Sequence, residues 1–306
     1  MRNAFASELT SLANEDPRII LLSGDIGNRL FDNFKAGFPE RFFNCGVAEA
    51  NMTSIAAGMA IAGLRPVTYT ITPFGTTRCL EQIRLDVCYQ NLPVIIVGTG
   101  SGLGYASLNA SHQSCEDIAF LRAIPNMTVI CPGDAWELRS LLQAAFQLNG
   151  PVYLRIGKKG EPLIHSNKPE LTIGKALIIK EGSEVCLCST GNTLPLTVKA
   201  AEILKKRGIS IQVVSLHTIK PLDELFLSHA FSTFKLLMSI EEHSLIGGLG
   251  SSIAEWLADN PEQKAHFVRV ALPDKFLYEA GEDEYYRSIY GLTTETIVEK
   301  CFQGLQ

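Results

Sequence analysis

Short apolar runs rich in β-branched and aliphatic residues alternate along the chain with longer stretches whose hydrophobic positions recur at helical spacing. The runs at 19–22, 67–71, 94–97, 128–131 and 152–156 read as strands. Between them, helices are expected from Glu49 to Gly63, over about 76–90, near 116–123 and over 135–148. Single strands alternating with helices predict a parallel sheet covered on both faces, hence one doubly wound α/β domain. A Gly-, Lys- and Pro-rich stretch from Gly157 to Pro169 reads as an exposed linker. A second set of strands follows at 185–189, 211–216, 236–240 and 267–271, alternating with helices over 194–207, 251–258 and 294–302, and predicts a smaller α/β domain.

One charged residue breaks the pattern of the Glu49 helix. Glu49 opens a helix of small and apolar residues, where it shares a face with Met52, Ala56 and Met59 or Ala60. Two readings stand. A carboxyl facing inward would have its charged form disfavoured by burial, which raises its pKa above about 4.3 and suits a group that holds or shares a proton. An acid at the surface would simply complement the positive end of the helix dipole.

Composition narrows the function classes. The 306 residues are 46% hydrophobic and 19% charged, with a net charge of -5, so nothing suggests nucleic-acid or anionic-membrane binding. The N-terminal residues lack a signal-peptide core and no run is long enough for a membrane span, so a cytoplasmic location is expected. The eight cysteines sit mostly inside apolar patterns with no Cys-x-x-Cys pair, and read as reduced structural residues, not metal ligands. Cys186 and Cys188 should share one face of a strand.

Two glycine clusters invite comparison with nucleotide-binding loops. Residues 98–104 follow a strand but run into Tyr105 and a loop, not into a helix, so a pyrophosphate would lack a dipole to rest on. That cluster reads as a mobile loop. The cluster at 247–252 has the right strand and helix context without the G-x-G-x-x-G spacing. His112 ends the first loop. Ser114-Cys-Glu-Asp117 reads as a capping box, so a helix should begin at about Cys115 with His112 exposed just outside it, able to donate to substrate oxygens or to move a proton. An inert loop histidine fits the same sequence. His243, after Glu241-Glu242 at a strand end, is the other histidine of interest.

Several segments taken in order resemble one family. Residues 44–52, Asn-Cys-Gly-Val-Ala-Glu-Ala-Asn-Met, resemble the G-[IV]-x-E-x-x-[MA] helix start of transketolase-type thiamine diphosphate enzymes. Pro73-Phe74, residues 92–97, Ser111-His112-Gln113, residues 121–129, Pro132-Gly-Asp134 and residues 240–252 fall where that family has its own segments. The resemblance covers essentially the whole chain. It looks like the C-terminal half of a transketolase made as a separate subunit, with cousins in 1-deoxyxylulose-5-phosphate synthase and the beta subunits of 2-oxoacid dehydrogenases. It implies a pyrimidine-binding domain over 1–160, a linker over 161–172 and a transketolase C-terminal domain over 173–306.

The resemblance also implies chemistry. Glu49 would be the catalytic carboxyl hydrogen-bonded to the cofactor pyrimidine, so that the thiazolium carbon can attack a ketose carbonyl and a two-carbon ketol unit can move to an aldose. Phe74 matches the aromatic that stacks on the pyrimidine, and Asp25, at the carboxyl edge of the sheet, could face the thiazolium. The Gly-Asp-Gly motif and later asparagine that hold the diphosphate are missing from this sequence. A partner N-terminal subunit would then bind the diphosphate with Mg2+ or Ca2+, in an α2β2 assembly. On the substrate side the pattern departs: Leu108 stands where transketolases have a sugar-recognising aspartate, while His112 is kept. A second family histidine falls near Gly100. Lys158, or Arg155 in another register, replaces the phosphate-binding arginine, and Arg29 lies near a family serine that also touches phosphate. Donor and acceptor therefore stay open, with a modified or nucleotide-linked sugar among the options. A decarboxylating relative and a non-catalytic scaffold are the alternative readings.

Overall fold

The computed structural model describes residues 1–27, 29–276, 278 and 281–306. The N-terminal half supplies β1 (Ile19–Ser23), β2 (Phe42–Asn44), β3 (Arg65–Ile71), β4 (Ile95–Thr99), β5 (Thr128–Ile130) and β6 (Val152–Ile156). The C-terminal half supplies β7 (Leu177–Lys180), β8 (Val185–Ser189), β9 (Ile211–Ser215), β10 (Thr218–Lys220), β11 (Leu236–Ser244) and β12 (His266–Leu272). They form a seven-stranded sheet ordered β10-β5-β6-β4-β3-β1-β2 and a five-stranded sheet ordered β12-β11-β8-β9-β7. Pairing is parallel except at the two edges, where β10 runs antiparallel to β5 and β7 antiparallel to β9. No helix among the described residues is long and apolar enough to cross a membrane.

The two expected sheets are therefore present, each with a short edge strand beyond those expected (β2 and β7), and β10 crosses over and completes the other edge of the first sheet. The core follows the same plan. On one face of the first sheet the Arg2–Glu15 and Ala135–Ala145 helices bury Phe5, Leu9, Leu138 and Leu141 against Leu21, Val67 and Val97. On the other face Met52, Ala56, Ile83 and Val87 belong to one continuous cluster with Val214, Leu216, Phe231 and Leu249 from the C-terminal half. The two halves thus share a core.

Three expectations are corrected by non-local contacts. Residues 157–176 contain no helix or strand, but they form a pinned strap where a free linker was expected. Ile164 and His165 donate their backbone N–H groups to Asp134 Oδ2, each at 2.9 Å, His165 Nε2 meets Glu137 Oε1 at 3.1 Å, and Lys168 lies 3.6 Å from Glu8. The glycine cluster at 98–104 is likewise fixed. Gly102 and Ser114 exchange backbone hydrogen bonds of 2.8 and 3.0 Å, and Leu103 N donates to Glu242 Oε1 at 3.0 Å. A Cβ on Gly102 would lie 2.4 Å from that carboxylate oxygen, so here glycine serves close approach. For the same reason the capping box does not form. Ser114 is drawn into the bridge with Gly102, Asp117 into an ion pair, and the helix starts only at Asp117 and runs to Arg122.

The stretch expected as one helix over 76–90 is broken into a 3-10 turn (Thr77–Cys79), an α turn (Leu80–Gln82) and a π-helical segment (Ile83–Cys88). Thr76 interrupts it with a backbone at φ -121°, ψ -79°. All eight cysteines are free thiols, and Cys186 and Cys188 lie side by side on β8 with 3.7 Å between sulfurs.

Candidate active site

The carboxyl ends of β1 and β3 and the start of the Glu49–Ile61 helix converge at one edge of the first sheet, the usual position of ligand sites in open α/β sheets. Glu49 is 2% exposed. The turn after β1 presses on it, since a Cβ on Gly24 would lie 3.2 Å from Glu49 Cγ and 2.9 Å from Thr70 Oγ1. That Thr70 hydroxyl is buried and has no hydrogen-bond partner. Of the two readings of Glu49, the inward-facing one is what the fold contains.

Burial is offset by a cation that the sequence pattern did not reveal. Arg78 Nη1 lies 2.8 Å from Glu49 Oε2, and the Arg78 guanidinium sits 4.2 Å over the Phe74 ring. The row continues outward. The Phe74 and His112 rings meet edge-on at 5.0 Å, His112 meets Tyr105 at 6.3 Å, and Lys158 Nζ lies 4.8 Å over the Tyr105 ring. A Cβ on Gly100 would fall 2.1 Å from the Tyr105 ring, so this glycine is the seat of that aromatic. Glu49, Phe74, His112 and Lys158 are thereby brought into one line, joined by Arg78 and Tyr105. Arg78 lies four residues after Phe74 but across the break at Thr76, so no helical spacing in the sequence pointed to it. Tyr105 was hidden behind the glycines that accommodate it.

His112 has its pKa lowered, chiefly by burial and secondarily by the Arg78 charge, so its imidazole is neutral near pH 7. Ser111 Oγ lies 2.9 Å from its Nδ1 and fixes the ring. Asp25 has left-handed backbone (φ 56°) and accepts a 2.9 Å hydrogen bond from Asn44 Nδ2, which ties the turn after β1 to the end of β2. Arg29 is exposed and lines an open cleft of 460 Å3 together with Lys158.

Arg155 is a correction. Its guanidinium pairs with Asp117 (Nε to Oδ2, 2.8 Å) and donates to the carbonyls of Ser114 and Glu242 at 3.1 and 3.0 Å. Both charged groups are buried. Burial works against the charged form of Asp117, but the Arg155 charge and hydrogen bonds outweigh it and hold the carboxyl below its ordinary pKa. Buried, with its Nε and Nη2 donors engaged by Asp117, Ser114 and Glu242, Arg155 is a clamp between the halves and not a free substrate ligand. His243 is also structural: its Nε2 accepts from Ala119 N at 3.3 Å and its Nδ1 lies 2.9 Å from Ser244 O.

Half of the Glu49–Ile61 helix faces outward. Its buried stripe is Glu49, Met52, Thr53, Ala56, Ala57 and Ala60. On the opposite stripe Ile55 and Ile61 are exposed, the latter by 70%, next to Val47 at 74% and to Leu85 and Tyr89 (78%) of the adjoining segment. Large apolar side chains grouped on an exposed surface in this way ordinarily mark a face that another surface covers.

Comparison with known proteins agrees with this geometry. Residues 1–161 match the transketolase pyrimidine binding domain, and residues 174–297 match the transketolase C-terminal domain. The chain belongs to the transketolase family. Among its relatives, a Methanocaldococcus jannaschii protein provisionally named as a transketolase C-terminal section is 37% identical over 100% of this chain and 96% of its own length. The 6-deoxy-6-sulfo-D-fructose transketolase subunit SqwH of a Clostridium strain is 35% identical over 99% of this chain and 94% of its own. A solved split-gene transketolase, described as an inactive beta4 tetramer, is 34% identical, with a TM-score of 0.91 over 99% of this chain and 97% of that one.

The family generally uses thiamine diphosphate. The residues here fit its pyrimidine: a buried acid, a half-buried aromatic face and an unpartnered buried hydroxyl on Thr70.

Proposed function

We propose that this chain is the C-terminal subunit of a two-component transketolase-like enzyme that transfers a two-carbon ketol unit between sugar phosphates. One observation carries the reading: Glu49 is buried on one stripe of a helix whose other stripe leaves the large apolar side chains of Ile55 and Ile61 uncovered. A catalytic acid beside an uncovered apolar face is what half of a site shared between two chains requires. An N-terminal partner would hold the cofactor diphosphate with Mg2+ or Ca2+, in an α2β2 assembly in the cytoplasm. The names of the two relatives, one a section and one a subunit, support a divided enzyme.

When bound, thiamine diphosphate supplies the carbon nucleophile for the ketose carbonyl. The rest is the task of this chain. Glu49 hydrogen-bonds the pyrimidine and holds the proton there, which requires it to loosen its pairing with Arg78. Phe74 would support the pyrimidine ring, and Asp25, on the turn after β1, would face the thiazolium. His112, neutral and oriented by Ser111, hydrogen-bonds a substrate oxygen. Lys158 and Arg29 take the phosphate at the far end of the row.

Decarboxylating chemistry is the second reading. It is favoured by 1-deoxy-D-xylulose-5-phosphate synthases that are 34% identical over 96% or 97% of this chain, which spans about half of those longer proteins. One experiment separates the two. The chain is purified with and without a candidate N-terminal partner, and thiamine diphosphate binding, ketol transfer from ketose phosphates and carbon dioxide release from pyruvate are measured. Ketol transfer by the pair alone is the expected result. Carbon dioxide from pyruvate with no transfer from ketoses would move the chain to the second reading, and equally tight cofactor binding by the isolated chain would overturn the divided site.

A further inference from the structure

We infer that the sugar ligand of this chain carries two anionic groups, the second held in the cationic cleft beyond Lys158. Lys158 belongs both to the aromatic row and to the wall of the 460 Å3 cleft, so the cleft begins where the row from Glu49 ends. Three more cations line it from separate parts of the chain: Arg2 on the first helix, Arg29 on the turn after β1 and Lys159 on the strap. Among the described residues no aspartate or glutamate lines it.

Among the described residues none of these four cations is in an ion pair. Arg2 donates to the neutral Tyr69 hydroxyl at 3.2 Å, and Lys158 rests on a neutral ring. The nearest acid along the chain, Glu161, is already engaged by the Met1 amine at 2.7 Å. Four like charges drawn to one concave surface repel one another, and such a surface focuses field on an anionic ligand. A phosphate monoester bears about 1.5 to 2 negative charges near neutral pH, which two cations balance. Lys158 with one neighbour serves that purpose, and the remaining cations call for a second group. The ligand class is therefore a sugar with a diphosphate, as in a nucleoside-diphosphate sugar, or a sugar with two separate phosphates.

The inference rests on the proposed function only in taking the ligand as a sugar. Its test needs no turnover, so its failure and the failure of ketol transfer are read separately. Binding of orthophosphate, pyrophosphate, UDP-glucose and fructose 1,6-bisphosphate to the full chain is measured by calorimetry at low and physiological salt. At least one doubly anionic probe should bind about tenfold more tightly than orthophosphate, and that preference should weaken with salt. UDP-glucose as the tightest probe identifies the diphosphate source, and fructose 1,6-bisphosphate the two-phosphate source. The variant K159A, at an exposed position that leaves Lys158 and Arg29 to hold the first group, should lose most of the preference and keep the parent's thermal midpoint. Orthophosphate binding as tightly as every doubly anionic probe, no binding of any probe, or a variant that keeps the preference would each overturn the inference.

Discussion

Glu49 reaches the interior at the first turn of its helix, and its single ion-pair partner, Arg78, is itself half-exposed. The pair can therefore open without leaving a guanidinium stranded in the core. A ligand hydrogen bond to the carboxyl can replace the one given by Arg78, with the arginine returning to water. Glu49→Gln keeps the shape and removes the proton. In the reconstituted enzyme it is expected to lower ketol transfer by about 10²- to 10⁴-fold, the range of general acid–base catalysis, with the thermal midpoint within a few degrees of the parent. Transfer at the parental rate would remove Glu49 from the chemistry. The sequence exposed Glu49 because a lone acid interrupts a small-residue helix. It could not expose Arg78, which reads as one of several charged residues on a polar stretch until the fold sets it over Phe74.

At the level of elements, one buried arginine ties the halves together. Arg155 on β6 reaches Asp117 and the carbonyl of Glu242 on β11. Arg155→Met removes one charge and leaves the other buried, and is expected to destabilise the protein by about 3–5 kcal/mol, measured by denaturant unfolding. The family resemblance put Arg155 with the substrate because it stands three residues before Lys158, in the other register for the phosphate-binding arginine. Only the partner 38 residues away in sequence makes its burial tolerable.

The strap gives a pH-dependent counterpart. The Glu137 hydrogen bond raises the His165 pKa, so protonated His165 stabilises the fold. This contribution is fully present below the unfolded value of about 6.5 and is lost as pH rises through the higher folded value. The drop in thermal midpoint caused by His165→Gln should be largest below about pH 6.5 and shrink toward pH 8. Nearby His217, its pKa lowered first by burial, works in the opposite sense: its favourable neutral state is lost as pH falls below about 6.5. The comparison must therefore be made between parent and variant at each pH. The main strands were legible as apolar runs, whereas β2, β7 and β10, of three or four residues, are too short to show a period.

For the whole molecule, the uncovered stripe beside Glu49 is the largest departure from a self-contained protein. Ile61→Glu combined with Tyr89→Glu places charge on that stripe without touching the core. The double variant is expected to keep its unfolding midpoint and to lose association with the N-terminal partner, read by sedimentation or size-exclusion chromatography. Retained association would move the interface elsewhere. The overall architecture, two α/β units in series, was readable because the periodicities are local. How the units meet was not, because that depends on pairs such as Leu103 with Glu242 and Glu137 with Ser215.

The crossover of β10 has a consequence for any attempt to dissect the chain. Cutting at the strap would strip β5 of its outer neighbour and leave a raw, adhesive edge, while half of the shared core lost its lid. A fragment ending near residue 160 is expected to aggregate on expression, and the intact chain to melt in one calorimetric step. The thin strand that looks like an afterthought is the stitch that makes two modules behave as one body.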